Sequence, residues 1–147
     1  MKFQRDSYSC AVFAIKNALE ALGLNYTEKK IRTHTGTSKQ GTTEHGIKQA
    51  IECLGHNWEE LSSDDFKNIL KDLVLALSEG KSAILCTQHG DHWVAAIGLC
   101  GQRVIVFDSQ RTVVNKANNG IHSFDQKQLR RIWTPCNGVF YALAIRP

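Results

Sequence analysis

Apolar residues crowd positions 10–22 so densely that the segment reads as a helix buried nearly all round, with Ser9 as its N-cap and Gly23 ending it. Thr27 caps a short helix running through Arg32, and the Thr-, Gly- and Ser-rich stretch 33–43 reads as a loop. Ile47, Ala50, Ile51 and Leu54 recur at helical spacing and predict a helix over 44–54, stopped by Gly55. A further helix, capped by Ser62 or Ser63, carries Phe66, Ile69, Leu70, Leu73, Val74 and Leu77 on one stripe up to Gly80. The character of the chain then changes. Residues 82–87 and 92–99 read as strands joined by the polar turn Gln88-His89-Gly90-Asp91, with a third strand at 104–107 and a candidate fourth at 112–114. Asn118-Asn119-Gly120 is a loop, and Ser123 with Gln126 outlines a capping box opening a helix through Trp133. A turn at 134–138 leads to a last strand at 139–145. A helical half followed by an antiparallel half is an α+β pattern, an N-terminal helical layer packed on a C-terminal, mostly antiparallel sheet.

Composition narrows the classes. At 147 residues, with no repeat, low-complexity tract or proline-rich linker, residues 1–147 are expected to form a single domain with its own core. The chain is 42% apolar and 22% charged, ordinary globular usage that excludes disorder. The net charge of +4 is scattered, and its densest stretch, Lys127 to Arg131, reads as a solvated helix face, so no nucleic-acid partner is expected. No apolar run approaches a membrane span and no signal peptide opens the chain, which makes a soluble, cytoplasmic protein with no membrane contact the expectation. Five cysteines without a CxxC pair read as reduced thiols, Cys86 in the core and Cys53 core or half-buried. Cys86, His89, His92 and Cys100 crowd together, but C-x2-H-x2-H-x7-C matches no zinc signature, and no metal or cofactor is expected. The stretch Gly36 to Thr43 mimics a phosphate loop but lacks the lysine after its second glycine, and reads as a loop beside a cleft.

The candidate chemistry centres on Cys10. A cysteine at the first turn of a buried helix meets the positive end of the helix dipole, which favours an anionic sulfur. Gln4, six residues upstream, can offer its amide N–H where an oxyanion would form. His92 leads one apolar run and Asp108 closes another, so nucleophile, base and orienting carboxylate occur in that order, each at the edge of an element. Singly, each has a plainer reading: a core thiol, a satisfied histidine, a turn former.

Four stretches together resemble the papain-like peptidases of the bacteriocin-processing, double-glycine leader type. Gln4-Arg-Asp-Ser-Tyr-Ser-Cys10 is similar to that family's Gln-x5-Cys followed by an apolar helix, and Gly41 to Gly55 to its Gly-Thr helix. His92-Trp-Val-Ala-Ala-Ile-Gly98 with Asp108 resembles its His-strand-turn-strand-Asp hairpin, and Phe124 through Trp133 to Ile145 its closing strand element. The resemblance implies a papain-like fold, Cys10 as nucleophile, His92 as acid/base, Asp108 as orienting residue, and an oxyanion hole from Gln4 and the Cys10 backbone N–H. It implies a protein or peptide substrate and a narrow cleft walled by Trp93 and the 33–43 loop. Where the family has Asp-Cys-Gly this chain has Ser9-Cys10-Ala11, and Asp91 and Ser109 stand where the family has Gly before the histidine and Pro after the aspartate. Ser9, Asp91 and Trp93 are therefore the expected substrate-contacting residues. With no membrane or ATP-binding portion, a free-standing protease is expected rather than one fused to an exporter. The residues themselves leave three functions open: a cysteine peptidase acting on a peptide or isopeptide bond, a glutamine deamidase or transglutaminase-like acyltransferase using the same thioester, and a non-catalytic peptide-binding domain.

Overall fold

A computed structural model describes residues 1–147. Three helices come first: α1 (Cys10–Ala21), α2 (Glu28–Thr35) and α3 (Glu44–Cys53). Strand β1 (Asn57–Ser63) and helix α4 (Phe66–Ser78) precede β2 (Ser82–Thr87), a single 3-10 turn (Gln88–Gly90), β3 (His92–Cys100) and β4 (Arg103–Phe107). Helix α5 (Val113–Ala117), strand β5 (Ile121–Phe124), helix α6 (Gln126–Ile132) and strand β6 (Phe140–Arg146) complete the chain. The six strands form one sheet in the order β1-β6-β2-β3-β4-β5, each pairing antiparallel. No helix is long and apolar enough to cross a membrane.

The α+β architecture follows the sequence pattern, with the helical layer divided between the two sheet faces. Ser-Ala-Ile-Leu-Cys-Thr of β2 is buried at every position, which an antiparallel strand requires when both of its faces are covered. Ile84, Cys86, Trp93, Ala95, Phe107 and Leu143 face α1 and α3, while Ala83, Leu85, Val94, Ala96 and Val106 face α4 and α6. Helix α1 is buried at all nine positions from Ala11 to Leu19. Two of these are polar and satisfied: Lys16 Nζ donates to the Tyr26 carbonyl at 2.9 Å, and the Asn17 side chain grips the Lys2 backbone, accepting from its N–H at 3.0 Å and donating to its C=O at 3.2 Å. The Asn17 grip ties residues 1–9 to α1 and holds the path of the chain into Cys10.

Several elements differ from the sequence pattern. Strand β1 was not expected, because only Leu61 of Asn-Trp-Glu-Glu-Leu-Ser-Ser is buried; an edge strand open to water has no apolar alternation to read. Ser62 and Ser63 belong to this strand, and the cap of α4 is Asp65, whose side chain accepts from the Lys67 N–H. On α4, Val74 faces solvent and Ala76 lies inside with Phe66, Ile69, Leu73 and Leu77. Residues 112–114 are not a strand: Thr112 caps α5, and the β-branched Val113 and Val114 are exposed. Ser123 sits in β5 paired with Ile105, and the capping box of α6 is instead Asp125 with Gln128. Helix α2 runs on to Thr35, closed by Gly36 at φ 66°. Cys53, at the end of α3, is exposed rather than core.

One glycine brings the site's segments together. Asp108 donates its N–H to the Gly120 carbonyl at 2.9 Å. Gly120 has φ +76°, and a Cβ there would lie 2.5 Å from the Phe107 ring and 3.0 Å from the Asp108 carbonyl. Gly120→Ala is expected to destabilise the protein by about 1–3 kcal/mol, measured as a lowered urea midpoint. Gly98→Ala, whose Cβ would meet no heavy atom within 4 Å, is expected to stay within about 0.5 kcal/mol of wild type.

Candidate active site

Cys10 is the first residue of α1, half-buried, with Ser9 in the N-cap position. Helix N-terminal N–H groups lack intrahelical acceptors, so Cys10 stands at the positive end of a helix buried from Ala11 to Leu19. The Ser9 hydroxyl makes no capping bond and is buried without a partner. Ser9, expected to contact substrate, is fully buried.

His92 opens β3, and its backbone is anchored by the Thr87 hydroxyl, which donates to the His92 carbonyl at 3.1 Å. The turn before it is strained: Gln88 and His89 both adopt positive φ, at 50° and 56°. The 134–138 turn holds it down. The His89 N–H donates to the Thr134 hydroxyl at 2.8 Å, and Gly90, at φ +96°, leaves room for the Cys136 sulfur, which would lie 2.8 Å from a Cβ there. Asp108 follows β4 immediately. Its carboxylate Oδ1 accepts from His92 Nε2 at 2.7 Å and from the Gln110 N–H at 3.0 Å. With Nε2 committed to Asp108, only Nδ1 of the imidazole is left to meet a sulfur.

Electrostatics separate this pair from ordinary side chains. Burial pulls the His92 ring toward neutrality, but the bond to Asp108, assisted by the Cys10 sulfur, overrides it and lifts the ring's pKa to about 9. Burial likewise opposes charge on Asp108, and the bond to His92, the neighbouring imidazolium, the Gln110 N–H and the Asn115 amide together hold its pKa below the usual carboxylate value. Cys86, in the core below, behaves oppositely: burial pushes its thiol up to about 12, which keeps it protonated and inert.

Gln4 is buried and held on every side. Its N–H donates to the Ser109 carbonyl at 2.9 Å, and its own carbonyl accepts from Arg111 Nε at 2.8 Å. Its side-chain Oε1 accepts from the Ser109 hydroxyl at 2.8 Å, while Nε2 donates to the Asp6 carbonyl at 2.8 Å. These bonds fix which way the amide faces and leave Nε2 one further N–H to give. Ser109 thus links Gln4 to the segment that carries Asp108. In the sequence Ser109 shows only as a departure from proline; a hydroxyl 105 positions from its acceptor leaves no local signal.

The structure bonds His92 to Asp108, ties Gln4 to the residue after Asp108, and leaves Asp91 exposed on the turn before His92. Trp93 was expected on a cleft wall but is a core residue, its ring edge-on to Tyr141 at 6.2 Å. On the sheet face opposite α1, a cavity of about 420 Å³ opens against His92 and Asp108, walled by Val94, Val106, Phe124 and Ile132, with Asn115 and His122 on its polar side.

Comparison with known proteins places this arrangement in context. Residues 1–139 match the model of the peptidase C39 family. The chain is 27% identical over 114 residues to the lactococcin-G-processing and transport ATP-binding protein LagD of Lactococcus lactis subsp. lactis, a match covering 78% of this chain and 16% of that protein. Among solved structures, a double-glycine motif protease from an AMS/PCAT transporter, in complex with its leader peptide, superposes with a TM-score of 0.70 at 14% identity, covering 99% of this chain and 89% of that one. The peptidase domain of Streptococcus ComA gives 0.66 at 18% identity, over 99% and 96% of the two chains. A C39-like peptidase structure from Bacillus anthracis gives 0.66 at 12% identity, over 100% and 94%. At such identities these structures share the fold.

The raised His92 pKa has a thermodynamic consequence. A group whose folded pKa exceeds its unfolded value contributes stability fully present below the unfolded value and lost as pH rises through the folded one. The thermal midpoint of the wild type is therefore expected to fall as pH climbs from 6.5 through about 9. In His92→Ala that decline should be absent, as checked by scanning calorimetry across the range.

Proposed function

The chain belongs to the peptidase C39 family and is a cysteine peptidase by that membership, and from this premise we propose that it cuts a peptide or isopeptide bond through a thioester on Cys10. Cys10 Sγ attacks the carbonyl carbon, the carbonyl π electrons move to oxygen, and the resulting oxyanion is met by the free N–H of Gln4 Nε2 and the Cys10 backbone N–H. The C–N bond breaks as His92 Nδ1 gives its proton to the departing amine. Water then attacks the thioester carbonyl while the neutral imidazole takes its proton; the C–S bond breaks, the carboxylic acid leaves, and the thiolate is restored beside the imidazolium, which starts the cycle. Asp108 keeps Nε2 protonated, holds the tautomer and stabilises the imidazolium.

The observation that carries this reading is the 2.7 Å bond between His92 Nε2 and Asp108, which reserves Nδ1 for a sulfur at a helix N-terminus. The LagD resemblance and the leader-bound transporter protease support a peptide substrate carrying a pair of small residues before the cut. A nucleophile, an acid/base and its orienting carboxylate together argue for catalysis over binding alone.

Cys10→Ala is expected to lower cleavage of double-glycine-containing peptides at least about 10³-fold, with wild-type products identified as chain cleavage by mass spectrometry. Retained cleavage in Cys10→Ala, or conversion only of side-chain amides, would overturn the assignment. Gln4→Ala should cost about 10²–10³-fold in kcat. Ser109→Ala, which frees the Gln4 amide without removing it, should cost about tenfold, the worth of one neutral hydrogen bond, with KM little changed.

A further inference from the structure

Beyond the four residues of the proposed mechanism lies a second set of polar groups that it does not use. Asn115, on α5, is buried, and its side chain is satisfied in both directions. Oδ1 accepts from His122 Nε2 at 2.7 Å, and Nδ2 donates to the Gln110 carbonyl at 2.8 Å. These partners fix the amide's orientation, because a ring N–H can only donate and a carbonyl can only accept. An NH2 group carries two hydrogens and Gln110 uses one. Both bonds to the Asp108 carboxylate fall on Oδ1, so Oδ2 is the oxygen left open. Asn115, His122, Asp108 and His92 line the same cavity. His122 is itself held by stacking flat on Phe124, with ring centroids 5.3 Å apart and an interplanar angle of 2°.

We propose that Asn115 and His122 are positioning residues: His122 orients the Asn115 amide, and Asn115 gives its second N–H to Asp108 Oδ2, fixing the carboxylate that holds His92. The inference rests on the proposed roles of Cys10, His92 and Asp108 and extends them outward to the rim of the molecule at β5. A carboxylate held through one oxygen only can pivot about its Cβ–Cγ bond; a donor on the other oxygen prevents this and keeps Oδ1 aimed at Nε2. Against burial, the Asp108 carboxyl is held below its ordinary pKa chiefly by the bond to His92, and the Asn115 amide acts in the same direction. The charged and titratable groups facing His92 and this cavity are Asp108, Cys10, His122 and Arg131. Second-layer hydrogen bonds of this kind commonly alter activity by about 10–100-fold at metal sites, where they orient a first-layer histidine in the same way.

The test follows alkylation of Cys10 by iodoacetamide as a function of pH in the full chain, read residue by residue by mass spectrometry, with exposed Cys53 and Cys100 as internal references. Wild-type Cys10 should react faster than both below pH 9 and show a change in rate as His92 loses its proton near its pKa of about 9. In Asn115→Ala that change should move to lower pH, and the Cys10 rate below it should fall about tenfold. His122→Phe, which keeps a ring to stack on Phe124 but has no donor, should shift the profile in the same direction. His122→Gln, which keeps an N–H, should restore the wild-type profile, an outcome a purely structural role would not produce. This second pair leaves Asn115 in place and decides the matter should Asn115→Ala fold poorly. A profile unmoved in Asn115→Ala and His122→Phe, or His122→Gln impaired as much as His122→Phe, overturns the relay alone. A wild-type Cys10 no more reactive than Cys53 and Cys100 overturns the nucleophile assignment and the relay with it.

Discussion

The buried contact between His92 and Asp108 sets the terms for the rest of the molecule. A charged imidazole enclosed by protein is costly unless a carboxylate lies within bonding distance, and a carboxylate so enclosed needs the reverse. The two are brought together by the simplest available device, adjacent antiparallel strands of which one begins with His92 and the other ends just before Asp108. Each is then secured by further bonds: Thr87 on the His92 carbonyl, Gly120 on the Asp108 N–H, and Gln110 on Oδ1. The sheet supplies the separation between the two residues and the loops supply their direction.

The same logic explains why α1 is so completely buried. In the proposed mechanism Cys10 must meet the His92 ring closely, and nine consecutive buried positions hold the helix that carries it tightly against the sheet. The polar cost of that burial is met by Lys16 and Asn17. Asn17 also serves a second purpose, since its grip on Lys2 directs the chain toward Gln4. From Gln4 the bonds pass to Ser109 and so to the Asp108 loop. The Gln4 amide, the His92 ring and the Asp108 carboxylate are thus held by bonds that tie the N-terminal segment to the loop after β4.

How much of this could be read beforehand depended on whether a feature leaves a trace in local periodicity. Helices α1 and α3 and strands β2 and β3 were legible because their buried faces impose apolar spacing, and Cys10, His92 and Asp108 stood out as candidates because each sits at the edge of such an element. Strands β1 and β5 were not, since edge strands facing water need no apolar run: β1 is mostly polar and β5 is a short Ile-His-Ser-Phe. Val113 and Val114 misled because β-branched residues suggest a strand, whereas the Thr112 cap and their exposure make them the outer surface of a one-turn helix. That misreading also concealed Asn115, whose inward orientation exists only once 113–117 is helical. Ser109 was visible as a substitution, but its bond to Gln4 depends on the tertiary structure alone. The fold was therefore largely in the pattern, while the supports around the site were not.

The cavity behind the His92–Asp108 pair has a pharmacological consequence. Inhibitors of thiol enzymes usually carry an electrophile and compete for the nucleophile, at the cost of reacting with other cellular thiols. Here the opposite side of the dyad is reachable through a mostly apolar chamber of drug-like size, on the face of the sheet away from the sulfur. A compound wedged there would bear on the bond between the carboxylate and the ring and would need no reactive group.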